Sequence, residues 1–423
     1  MGLLLKNIIF QEKERDIFIR EGKIEKIGKN LNVRAKEKID CQGRKAVLPG
    51  LINCHTHSAM VLFRGYADDL PLKKWLEEKI WPLEARLSRE DVYWGTKLAC
   101  LEMLKSGTTA FNEMYFFPEA QAEAVREMGL RAKIGLPLID FLPEYRPKSI
   151  EKLYQRLKRV LDGNRLSIAL APHSIYTVSR ENLIWAKDFA KKHNLPLHLH
   201  LSETEQEVEE CLLKYKKRPV EFLEEIGFLG NNCLLAHSIW LSDKEIALLS
   251  KRKPHLIYNP CSNLKLGSGI FSYLKLKREG LNICLGTDSA VSNNSLDLIR
   301  EIKVGSLLQK GAERSQKVLP AKEALEILTK NGARALRTGA GEIREGGPAD
   351  LIFVDLEKIY FQPPINFLSS FVYSASGECV SDVICGGKII MRERRIEGEK
   401  EIIRKSKERA RGLLRNVHLN NKA

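Results

Sequence analysis

The chain has 423 residues, 43% of them hydrophobic and 29% charged, with 69 Lys and Arg against 54 Asp and Glu for a net charge of +15. That length predicts two or three domains, or one large barrel with an appendage, and the mix excludes a disordered chain. The longest apolar runs, such as Leu351–Val354, are far too short to span a bilayer, and nine scattered cysteines without a Cys-x-x-Cys pair fit a reduced cytoplasm.

The opening, MGLLLKNIIFQEKERD, has no long apolar stretch ending in a small-residue cleavage site and reads as a strand rather than a signal peptide. LLLKNIIF, DIFIREGKIEKIG and EKIDCQGRKAVLPG continue as short strands with glycine turns. Residues 1–47 are therefore expected to be the first part of a small β-domain.

From residue 46 apolar β-rich runs alternate with long amphipathic stretches. Eight runs follow in order: AVLPGLINCHTH, TTAFNEM, RAKIGLPLID, LSIALAPHS, LPLHLHLSE, CLLAHSI, HLIYNPCSN and LNICLGTD. Strand–helix alternation implies parallel strands joined by crossovers. A doubly wound sheet shares that alternation. The count of eight, and polar residues at the C-terminal ends of most runs, favour an α/β fold of the (β/α)8, TIM-like barrel type over residues 48–339.

Beyond residue 339 the strand–turn texture returns in GEIREGGPADLIFVDLE and CVSDVICGGKIIMRERR. Residues 340–397 are expected to complete the β-domain, as a small β-sandwich built with the N-terminal segment. Residues 398–423 read as an amphipathic surface helix, with Ile402, Ile403, Ala410, Leu413 and Leu414 on its apolar face. From Lys388 onward 12 basic residues face 5 acidic ones, a surplus of +7. Nearly half of the excess charge sits in this tail. No RNA-binding aromatic signature, zinc finger or basic heptad accompanies it, so a solvated surface explains the charge better than a nucleic-acid site.

The sharpest motif is His55-Thr56-His57, at the end of the first run. Residues i and i+2 of a strand point to one face, so two imidazoles can converge on one metal at the barrel rim. Two exposed histidines after a strand would read the same. His198 and His200 repeat the spacing on the fifth run, and His200 lies nearer the rim. Glu203 follows just outside that strand, as a proton-transferring carboxylate or as a helix N-terminal acid. His173, His237 and Asp288 close the fourth, sixth and eighth runs. An acid after a run of buried β residues needs a partner, which a metal, a histidine or a water would supply. Each alone is commonly structural; together, at the ends of five runs, they describe one site.

This set of HxH, strand-five His, strand-six His and strand-eight Asp resembles the amidohydrolase superfamily. Residues 63–87, NPCSNLKLGSGI at 259–270, GTDSAVSNNSLDL at 286–298 and GEIREGGPADLIFVDL at 341–356 are similar to the 5-methylthioadenosine/S-adenosylhomocysteine deaminases. The resemblance implies metal ligands at His55, His57, His200 and Asp288, a proton shuttle at Glu203 and a water-orienting His237. It further implies substrate contacts at Glu84, His173 and Arg146, with Glu203 and Asp288 also meeting substrate. By residue type alone Glu84 is a plain helix-surface acid and Arg146 a solvated loop cation. Binuclear relatives carry a bridging lysine on strand four, and LSIALAPHS has none. One Zn2+ per chain is thus expected, with Fe2+ or Mn2+ as alternatives.

The implied activity is hydrolytic deamination of 5-methylthioadenosine, S-adenosylhomocysteine or adenosine to the inosyl product and ammonia, in the cytoplasm. A guanine, cytosine or triazine substrate is the alternative within enzymes, and a non-catalytic scaffold the alternative outside them. The expected partner is a small-molecule nucleoside; neither nucleic acid nor membrane is expected, and a homo-oligomer is compatible with the sequence.

Overall fold

A computed structural model describes residues 2–161, 163 and 165–420, the last five of these through their backbone. The N-terminal segment forms β1 (Leu3–Phe10), β2 (Lys13–Arg20), β3 (Lys23–Gly28), β4 (Glu37–Asp40) and β5 (Lys45–Pro49). The C-terminal segment adds β14 (Leu351–Asp355), β15 (Val380–Cys385) and β16 (Lys388–Met391). Antiparallel pairing of β14 with β5, from Leu351↔Pro49 to Asp355↔Lys45, joins the two segments. The result is one mixed sheet, in the order β16-β15-β14-β5-β1-β2-β3, with β4 branching from β1. Leu5, Ile8, Ile17, Ile24, Phe353 and Ile384 form its core. The shared strand texture at the two ends of the sequence therefore reflects one sheet.

Between them run the eight barrel strands: β6 (Leu51–Thr56), β7 (Thr108–Glu113), β8 (Arg131–Leu138), β9 (Leu166–Pro172), β10 (Leu197–Leu201), β11 (Cys233–His237), β12 (His255–Tyr258) and β13 (Asn282–Leu285). They pair in sequence order, each parallel to the next. A parallel bridge from Thr56 to Asp288 joins the ends of the series, supported by Asp288 N–H donating to the His55 carbonyl at 3.0 Å. Strands β6, β7, β10 and β11 are buried at every residue. Burial on both faces is why they read as unbroken apolar runs instead of alternating ones.

The terminal sheet packs against the N-terminal ends of β7 and β8. Arg131 donates to the fully buried Asp350 carboxylate from Nε and Nη2, at 2.5 and 3.2 Å. The opposite rim is left to the loops that follow each strand.

The helix Arg89–Lys105 begins at a capping box, in which Ser88 and Asp91 satisfy each other's backbone N–H. The C-terminal helix Glu399–Asn420 packs on it, and Arg409 pairs with Asp91 at 2.6 Å. Ile402 is buried against the main core, and Leu413 joins Met60, Phe63, Trp75 and Leu83 in a cluster over the barrel mouth. Ile403, expected on that apolar face, is 47% exposed. Adjacent residues lie about 100° apart on a helix, so Ile402 and Ile403 cannot both face the core. Residues 421–423 of the expected helix lie outside the described residues. Among the described residues no helix is long and apolar enough to cross a membrane.

Candidate active site

The barrel rim gathers its polar side chains through tight backbone turns. Ser202, His237 and Asp288 take left-handed φ values of +48°, +69° and +60° where β10, β11 and β13 end. Non-glycine residues adopt such values at a cost of about 1 kcal/mol or more each, and they concentrate at functional sites. Close approach matters too. A Cβ on Gly286 would lie 2.7 Å from His55 Cβ and 2.5 Å from Asn259 Oδ1, so only glycine fits beside His55.

One donor atom from each of His55, His57, His200 and Asp288 lies within 4.8 Å of the others. The Nε2 atoms of His55 and His57 are each 3.2 Å from Asp288 Oδ1. His57 Nε2 and His200 Nε2 are 3.3 Å apart. Their Nδ1 atoms are committed elsewhere: His57 Nδ1 donates to the Met114 carbonyl and His200 Nδ1 to the His173 carbonyl. A carbonyl only accepts, so both Nδ1 atoms carry hydrogen and both neutral rings present an Nε2 lone pair to the other. Two lone pairs at that distance require a cation between them, either a proton or a metal ion. His55 Nε2 is buried and makes no hydrogen bond of its own. Three imidazoles and a carboxylate in this arrangement fit a divalent ion such as Zn2+.

The electrostatics agree. Burial holds His55 down to about 4 and His200 well below the usual range. Burial also opposes charge on His57, but Asp288 outweighs it and raises the ring to about 9. Asp288 is itself held far below the ordinary carboxylate range, since the neighbouring His55 and His57 rings overcome its burial. Its Oδ2 accepts from Ser262 and Ser292 at 2.6 and 2.9 Å, which fixes Oδ1 toward the cluster.

Support comes from the next layer. His198 Nε2 lies 2.9 Å from His55 Nδ1, and its own Nδ1 is 2.9 Å from Asn112. His200, not His198, therefore faces the cluster. Glu113, buried and pushed up to about 7 by that burial, accepts from Ser58 N–H and Thr56 Oγ1 and anchors the turn after His57.

The cluster floors a cavity of about 340 Å3. Glu203 and His237 stand beside it, with Glu203 Oε2 3.6 Å from His237 Nε2. Glu203 Oε1 accepts from Ser268 at 3.3 Å, and burial raises its pKa above the ordinary value. Asn263 Oδ1 accepts from His237 Nδ1 at 2.8 Å, leaving Nε2 to face the cavity. The His173 ring lines the wall, its Nδ1 3.0 Å from Thr177 Oγ1. Glu84 lines it as well, raised to about 7 by burial against the opposing pull of Tyr115 and His57. Trp75, Trp81, Tyr115, Phe116 and Phe141 make the walls aromatic. A flat apolar slot with few polar groups at one end suits a planar heterocycle.

Of the nine residues expected at the site, eight meet in or beneath this cavity. Arg146 does not. It is exposed, its Nε donates to the Asp140 carbonyl at 2.7 Å, and the cavity wall at that point is Glu144 and Tyr145. Spacing in a loop does not set which residue turns inward, and Pro143 and Pro147 direct the chain so that Arg146 caps the helix Pro147–Val160 from outside. Tyr115 was missed. Its hydroxyl is buried in the wall beside Glu84, and its place two residues beyond β7 was a legible signal.

Comparison with known proteins follows the same lines. The chain is 44% identical over 401 residues to a 5-methylthioadenosine/S-adenosylhomocysteine deaminase of Thermococcus sibiricus, covering 92% of this chain and 94% of that one. It is 45% identical over 398 residues to a 5'-deoxyadenosine deaminase of Methanocaldococcus jannaschii, with the same coverages. A crystal structure of an adenosine deaminase from Xanthomonas campestris with bound zinc superposes with a TM-score of 0.93 at 33% identity, over 97% of this chain and 98% of that one. The amidohydrolase family profile matches residues 46–390, from β5 through β16. By its barrel, its rim and this match, the chain belongs to the amidohydrolase family.

Proposed function

We propose that this chain is a cytoplasmic metal-dependent deaminase of adenine nucleosides: 5-methylthioadenosine, S-adenosylhomocysteine, 5'-deoxyadenosine or adenosine, each hydrolysed to its inosyl product and ammonia. The observation that carries the reading is Glu203, a carboxyl kept protonatable by burial, beside His237 and the four-donor cluster on one cavity floor. The relatives named above supply the substrate class.

His55, His57, His200 and Asp288 would hold one Zn2+ per chain, Fe2+ or Mn2+ being alternatives. Bound there, such an ion lowers the pKa of water to roughly 7. Glu203 donates a proton to ring N1 as C6 becomes tetrahedral, relays to the departing amine the proton that Asp288 takes from the water, and is reprotonated by the C6 hydroxyl as the carbonyl forms. Asp288, oriented by Ser262 and Ser292, accepts a proton from the attacking water. His237 orients that water through Nε2. Glu84 accepts hydrogen bonds from ribose hydroxyls, and His173 meets the substrate from the wall.

No observation favours a guanine, cytosine or triazine substrate, and a scaffold protein has no need of an intact donor set. Ammonia release by the zinc-loaded protein tests the reading. Turnover of adenine nucleosides, with guanine, cytosine and triazines left untouched, is expected. Turnover of the latter group alone would overturn it.

A further inference from the structure

Two cavities meet over the barrel mouth. The inner one holds the donor cluster; the outer one, also about 340 Å3, shares Leu72, Leu76, Trp81, Tyr176 and Leu266 with it. With adenine at the cluster, the 5' substituent of a nucleoside must enter one or the other. Phe116, Phe117, Phe141, Leu142 and Glu144 line the inner cavity, and Phe141 and Glu144 are exposed. Among the described residues no Lys or Arg lines it. Among the described residues Lys73 is the single Lys or Arg on the outer cavity's wall, and it pairs with Glu210 at 3.2 Å. Glu77 and Glu205 line the same space. Arg146 is turned onto the Asp140 carbonyl and stays outside both.

We propose, on the footing of the deaminase reading, that this chain is selective for adenine nucleosides whose 5' group is uncharged, and discriminates against those ending in a carboxylate. An amino acid tail brings an ammonium that Glu144 or Glu205 can accept. Among the described residues its carboxylate finds one cation on the two walls, Lys73, already shared with Glu210, and it lies beside like charges. Desolvating an unpaired carboxylate near acids is costly, whereas a methyl or butyl thioether gains from the phenylalanine wall.

The test compares kcat/KM of the zinc-loaded protein for 5'-butylthioadenosine, 5'-(3-carboxypropylthio)adenosine and S-adenosylhomocysteine. The first two match in length and differ in charge. The carboxypropyl compound should fall roughly 10²-fold below the butyl one, with S-adenosylhomocysteine between them. Glu144→Lys and Glu205→Lys place a cation in one cavity each, and one of the two should raise the carboxypropyl-to-butyl ratio about tenfold. Equal turnover of the carboxypropyl and butyl compounds, or a ratio unmoved by both variants, overturns the selectivity and leaves the deaminase reading standing. Ammonia from none of the three overturns both.

Discussion

Metal binding should displace one proton from His57, and the pH dependence of affinity should show it. In the metal-free protein His57 is held at about 9 by Asp288, while His55 sits at about 4 and burial keeps His200 well below its ordinary value. Near pH 6 the three rings therefore carry one proton beyond their neutral forms, on His57 Nε2, 3.2 Å from Asp288 Oδ1. An ion must displace the proton held by a group raised in the unloaded state, and free protons compete more strongly as pH falls, so affinity weakens by about tenfold per pH unit well below that pKa. Between pH 5.5 and 6.5, below the titration of any metal-activated water, the apparent Kd for Zn2+ should tighten about tenfold. Glu113 and Glu84 each sit at about 7. Replacing one positive charge by two lowers both, which adds to proton release and never subtracts from it. Chelator competition at the two pH values gives the slope, and calorimetry in buffers of differing ionisation enthalpy counts the protons. An affinity flat across that interval, with no proton released, would refute the assignment of that proton to His57.

Three further outcomes are expected. Glu203→Gln should keep its metal and lose roughly 10²–10⁴-fold in kcat; near-normal turnover would reduce Glu203 to a structural acid. His200→Ala should lose the ion outright, whereas His198→Ala, which removes only the partner of His55 Nδ1, should weaken affinity by about 10–100-fold in metal titrations. Gly286→Ala drives a methyl toward His55 and Asn259, and should lower stability by about 1–3 kcal/mol in denaturant melts while loosening metal; a neutral result would mean that β13 shifts freely.

The barrel was legible because its strands are largely buried on both faces and most of the runs close on a polar residue at the rim. The HxH pair and Asp288 were legible for a simpler reason: strand period and strand end together fix where a side chain points. Where the backbone leaves regular structure, that logic stops. Arg146 and Glu144 sit two residues apart in one loop, and only the folded chain shows that the acid lines the cavity and the arginine faces out. Glu84 lies in a short helix whose surface looks ordinary in sequence. Its approach to Tyr115 and His57 depends on how the segment 58–87 folds back under Leu413 from the far end of the chain. The supporting residues Asn112, Ser262 and Asn263 carry no spacing signature, since each is set by a contact with a residue far away in sequence.

The seam between β6 and β13 has a consequence for how the molecule breathes. Neighbouring strands such as β8 and β9 share a ladder from Ala132↔Leu166 to Leu138↔Pro172, but the first and last strands touch through a single bridge, Thr56 to Asp288. That bridge lies between the ligands that each strand contributes. An ion held there is a cross-link over a loop of roughly 230 residues, across the joint that closes the barrel. Opening of the joint and escape of the ion become one event. Amide exchange at Asp288 should then be slow in the loaded protein and should rise steeply once the ion is stripped, ahead of the amides of β8 and β9.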